Sequence, residues 1–123
     1  MPLEISGMGE LLARLASTTQ NVERTKEKAL KKGAEVIKEE MATNAPVLTG
    51  NLKENIEVSD MKTKNSTEYV EVGPNKDAFY AKFIEFGTTK QKAKPFIEPA
   101  FLTKRREALD IISDVIKEAI NDV

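Results

Sequence analysis

Proline is absent from Ser6 to Thr43, and through that run Met8, Leu11, Leu12, Leu15, Val22, Leu30, Ala34, Ile37 and Met41 recur at intervals of three, four and seven. That spacing gathers apolar side chains on one face of an α-helix. Ser6 supplies an N-cap, Glu10 an acidic first turn and Glu27–Lys31 an i,i+4 pair, while Asn44 followed by Pro46 ends the run. A continuous helix here would reach roughly 50 Å at ~1.5 Å per residue, longer than a domain of 123 residues can cover by itself. Part of its stripe then needs another subunit or a displaced element. The alternative is a break near Thr18 to Asn21, where the stripe fades and polar residues cluster, giving two shorter packed helices.

Composition narrows the chemistry. The chain has neither Cys nor His, which removes thiolate nucleophiles, imidazole bases, disulfides and the usual zinc sites. No enzymatic activity and no cofactor are expected. Lys and Arg number 19 against 20 Asp and Glu, without the positive excess that neutralising a phosphate backbone calls for. No apolar run approaches the ~20 residues of a bilayer span, and the start MPLEISGMGE lacks a signal peptide's basic and apolar parts. Synthesis in the cytoplasm without a membrane partner is the expectation.

Beyond the first helix the pattern changes period. Ile56 and Val58 alternate with Glu57 and Ser59; after the polar stretch Thr63 to Thr67, Tyr69 to Val72 alternates again. This is a hairpin signature, with Val70 and Val72 inward, Glu71 outward, and Gly73–Pro74 as its end. Asp77 to Gly87 places Phe79, Tyr80, Phe83 and Ile84 at helical spacing, predicting a short helix with core aromatics and Gly87 at C′. From Ala100 onward Phe101, Leu102, Leu109, Ile112, Val115, Ile116 and Ile120 mark an amphipathic terminal helix. The expected architecture is one α+β domain over 1–123: a long helix to 44, an antiparallel hairpin or small sheet, short helix and loop over 45–99, and a final helix over 100–123.

Three blocks stand in order: Ala45-Pro46-Val47-Leu48-Thr49-Gly50-Asn51-Leu52-Lys53-Glu54-Asn55-Ile56; Val72-Gly73-Pro74; and Tyr80-Ala81-Lys82-Phe83-Ile84-Glu85-Phe86-Gly87-Thr88 leading into Ala93-Lys94-Pro95-Phe96-Ile97-Glu98-Pro99-Ala100. Each is weak alone, but their ordered combination resembles the gene-ten-like family of phage tail components. The resemblance spans roughly 45 to 101 and departs at Leu48, where that family commonly has an acidic residue, and at Asn55, where it has Ser. It implies a structural virion protein of a tailed bacteriophage or prophage. Such a protein completes the tail and joins it to the head at the neck, as a homo-oligomeric, hexameric ring contacting other neck and tail proteins, with DNA passing through its lumen without sequence-specific binding.

Site residues divide into two sets. Pro46, Thr49, Gly50, Leu52, Gly73, Phe86, Pro95, Phe96 and Pro99 are assigned to structure, with Pro95 and Pro99 bracketing a Phe96 aimed inward. Tyr80, Glu85, Gly87, Thr88, Lys90, Lys92 and Lys94 are assigned to an interface. Gly50, Gly73 and Gly87 sit at junctions, where glycine serves either a backbone conformation that a side chain would strain or close approach by a neighbouring subunit. Glu85, between Ile84 and Phe86, is either solvated or accepts hydrogen bonds from the Thr88 region or a partner. Two other functional classes compete with the ring subunit. A nucleic-acid-binding module would use the basic segment Lys90 to Arg106, and a carboxylate hydrolase would pair Glu85 with Glu98.

Overall fold

The computed structural model describes residues 2–4, 22–45, 54–75, 81–90 and 92–121. In chain order these form β1 (Pro2–Glu4), α1 (Val22–Asn44), β2 (Ile56–Val58), β3 (Lys62–Lys64), β4 (Thr67–Pro74), α2 (Ala81–Phe86) and α3 (Ile97–Asn121). The α+β class read from the sequence is the class observed. The first half of the long helix, its possible break at Thr18 to Asn21, Asp77, Phe79 and Tyr80 lie outside the described residues.

All the sheet's pairing is antiparallel and runs through β4. On one edge β1 places Leu3 opposite Val70, a strand absent from the sequence reading because three residues show no alternation. Its proline is tolerated at the start of an edge strand, where no ladder donor is required. On the other edge β2 and β3 follow one another, with Val58 opposite Val72 and Lys62 opposite Tyr69. The outer chain therefore advances one residue more than β4 between those pairs, a bulge. There Ser59 N–H donates to Glu71 O at 2.8 Å and Glu71 N–H to Ser59 Oγ at 2.9 Å. The polar stretch expected to be the loop is mostly strand: Thr63 and Lys64 pair with Glu68 and Thr67. The turn is Asn65–Ser66 alone, with φ of 53° and 64°.

The sheet packs its Val70, Val72 and Ile56 onto α1, which meets α3 on another side. Leu30, Ile37 and Met41 of α1 and Ala108, Ile112 and Ile116 of α3 are fully buried in the same cluster. Gly33 sets how closely the helices approach: a Cβ there would lie 2.8 Å from Ile112 Cγ1 and 2.9 Å from the Ala108 carbonyl oxygen. Lys26 of α1 donates to Glu68 of β4 at 2.8 Å, both side chains mostly buried. That bond raises the Lys26 pKa and lowers the Glu68 pKa. Phe96 is fully buried as expected, whereas Phe101 is only half-buried.

Candidate functional site

The terminal helix begins at Ile97, three residues before the expected Ala100, and the reason lies in α2. A helix start leaves about four backbone N–H groups without intrahelical acceptors, and Lys94, Pro95 and Phe96 offer no local capping side chain. Glu85 supplies the cap from a distance. Its Oε1 accepts from Phe96 N–H at 2.8 Å and Ile97 N–H at 2.9 Å, and its Oε2 from Glu98 N–H at 3.1 Å. The fourth position is Pro99, which has no N–H and suits a first turn. One carboxylate and one proline thus satisfy the whole helix start, and the negative charge faces the positive end of the helix.

This corrects the assignment of Glu85 to a contact surface. The residue is 7% exposed, and its oxygens are engaged within the chain. Glu98, imagined as its acid–base partner, donates its backbone N–H to that same carboxylate and keeps its side chain exposed, which is helix capping and not a hydrolytic couple. Gly87 has φ 77° and donates to Phe83 O at 2.9 Å, ending α2 as the C′ reading required. Lys94 N–H then returns to Ile84 O at 2.8 Å, and Thr88 Oγ1 accepts from Lys90 N–H at 3.2 Å. The bonds of Gly87 and Lys94 tie this connection to α2, while the Thr88–Lys90 bond stays within it.

With Glu85 turned inward, the aromatic residues of α2 turn outward. Phe86, expected in the structural core, is 80% exposed, and Phe83 is 44% exposed with Lys82 Nζ 5.2 Å from its ring centroid. The reason is the tether: at a spacing of one residue, Glu85 and Phe86 cannot share a helix face. Leu102, one turn beyond Glu98, is 59% exposed. Thr88, Lys90, Lys92 and Lys94 are exposed, as are Arg105 and Arg106, and Lys82 is the cation seen against an exposed aromatic of α2. Among the other assigned residues, Pro95 is exposed, Pro99 half-buried, and Tyr80, Pro46, Thr49, Gly50 and Leu52 lie outside the described residues.

A second feature lies across β2 and β4. An open concavity of about 320 Å³ has Val72, Gly73, Pro74 and Ile97 among its lining residues and the carboxylates of Glu57 and Glu71 beside them. Glu57 accepts from Asn75 Nδ2 at 2.7 Å, and Glu71 pairs with Lys62 at 3.0 Å. Among the described residues no group of three or more acidic side chains could hold a metal ion, and no helix is long and apolar enough to cross a membrane.

The pattern that buries Glu85, exposes Phe86 and closes on Gly87 lies within the span of a known family. A family model described as "Bacteriophage HK97-gp10, putative tail-component" matches residues 9–87, more than half of the chain. No curated protein and no solved structure matches.

Proposed function

The chain belongs to the HK97-gp10-like family of bacteriophage tail components, and from that premise we propose that it is the non-enzymatic head–tail joining subunit of a virion neck, closing into a hexameric ring through which DNA passes. The coarser statement, a structural phage tail protein carried in the virion, follows from the family. The observation supporting the finer reading is the corner built by Glu85. A buried carboxylate fixes α2 to the start of α3 and leaves Phe83 and Phe86 exposed, with Lys82 over the Phe83 ring. Exposed aromatics with a charged surround are what a subunit keeps for contacts with neighbours. The buried Glu85 serves a helix start.

Deleting the gene from an inducible phage and viewing the lysate by electron microscopy tests this. Filled heads beside separate tails are expected, with joining restored by the purified protein. Joined, infectious particles from the deletion would overturn it.

A further inference from the structure

Gly73 stands inside the longest strand, where a glycine weakens a sheet. Two reasons within a chain call for glycine there, a left-handed backbone or crowding. Neither applies: among the described residues the glycine with positive φ is Gly87, and a Cβ built on Gly73 would meet nothing within 4 Å. The remaining reason is close approach from outside. Gly73 lines the open concavity whose carboxylates are Glu57 and Glu71, and those groups invite a cation.

The same chain carries the counterpart. Phe86 projects from α2 at 80% exposure, and Lys82 lies over the neighbouring Phe83 ring. The geometry points to a head-to-tail contact in which Phe86 of one copy enters the Gly73 concavity of the next, with Lys82 set against Glu57 and Glu71. This contact rests on the ring reading above and gives it an interface. Where a contact engages one knob and one concavity, it leaves one of each free and closes into rings or runs on as filaments, whereas reciprocal insertion would stop at a two-fold pair. The charges agree in sign: the exposed side chain beside the knob is cationic, and the concavity carries two carboxylates against the single cation of Lys62. Each carboxylate keeps acceptor capacity beyond the bonds it makes to Asn75 and Lys62.

Because the chain has no cysteine, cross-linking reads this contact directly. Lys82→Cys and Glu57→Cys proteins, which keep both Phe86 and Gly73, mixed and oxidised over a concentration series, should give a mixed disulfide dimer in clear excess over mixtures of Glu57→Cys with Thr103→Cys, an exposed control on α3. Without any cysteine, Gly73→Val fills the concavity and Phe86→Ser removes the knob. Both should melt like the parent, and sedimentation should show self-association weakened roughly thirtyfold or more, as on losing a buried aromatic anchor. No excess of the 82–57 dimer at any concentration, or parental self-association in both variants, overturns the contact. If it fails while particles still need the chain for joining, the head–tail reading stands. If it forms in a protein whose deletion leaves joining intact, the contact stands and that reading falls.

Discussion

The α1–α3 seam and the α2–α3 corner share one helix and are held in opposite ways. At the seam, Gly33 lets two helices approach until an added carbon would sit 2.9 Å from a backbone oxygen, and stability comes from fitted apolar volume. At the corner, three backbone N–H groups converge on one carboxylate while the apolar side chains face out. A seam of the first kind tolerates conditions but not shape; a corner of the second kind depends on one charged group and leaves its aromatics available. The chain therefore spends its packing where nothing needs to bind, and uses a polar tether where a surface has to be displayed.

The largest expected effects fall on the seam. Ile112→Ala removes a fully buried side chain that packs against Gly33 and should destabilise by roughly 2–5 kcal/mol. Gly33→Ala should cost about 1–3 kcal/mol despite alanine's better helix propensity, because the Ala108 carbonyl cannot yield as a side chain would. Chemical denaturation measures both. A Gly33→Ala protein more stable than its parent would mean that the helices part at no cost and that the seam is not tightly fitted.

Next come changes at the corner. Glu85→Ala leaves three donors at the start of α3 without their acceptor and should cost roughly 2–4 kcal/mol. Glu85→Gln keeps an oxygen for Phe96 and Ile97 but turns an amide N–H toward the Glu98 donor, so it should lose about half as much. Amide exchange at residues 96–98 should quicken in step with the melts. If Glu85→Ala melts like the parent, the carboxylate is not what holds the corner.

A smaller effect separates charge from shape through pH. The folded Glu68 carboxyl lies below its ordinary value of 4.5, chiefly through the hydrogen bond from Lys26. Its contribution is complete above 4.5 and is lost as pH falls through the lower folded value. Lys26, whose folded value lies above 10.5 chiefly through that same bond, contributes fully below 10.5 and loses its share as pH rises through the folded value. Glu68→Gln should cost about 1–2 kcal/mol at neutral pH, between exposed and buried pairs, and flatten the acid limb of the stability curve. An acid limb unchanged in that variant would remove the pair from the account.

The sequence showed the seam more clearly than the corner, for a physical reason. Leu30, Ala34, Ile37 and Met41, like Ile112 and Ile116, repeat at helical spacing, and period alone assigns their face. Val70, Glu71 and Val72 likewise alternate as a half-buried strand must. Glu85 acts across eleven to thirteen residues, beyond any local period, and counting apolar residues in α2 put its aromatics inside. One signal was present: a helix starting after Lys94-Pro95-Phe96 has no local cap, so a remote one was required. The bulge at Ser59 and the short β1 left no comparable mark, because register and edge pairing are settled by β4.

The smallest expected effect sharpens the comparison by touching neither region. Asn65 and Ser66 form the two-residue link between β3 and β4, both with positive φ, as a type I′ turn requires. Asparagine tolerates that conformation, whereas serine adopts it under strain and glycine does so freely. Ser66→Gly should therefore stabilise by about 0.4–1 kcal/mol, the relief of strain exceeding the added freedom of the unfolded chain. The sheet lies on α1 and α1 on α3, so a gain at the hairpin tip should reach the seam. Slowly exchanging amides of α1 and α3 should slow by the same factor if they open only by global unfolding. Residues 96–98 divide the possibilities. Equal slowing there makes corner and seam one cooperative unit, whereas no change shows that the corner opens by itself, with its tether as the weaker joint. A variant that melts below its parent would show that Ser66 is not strained in this turn.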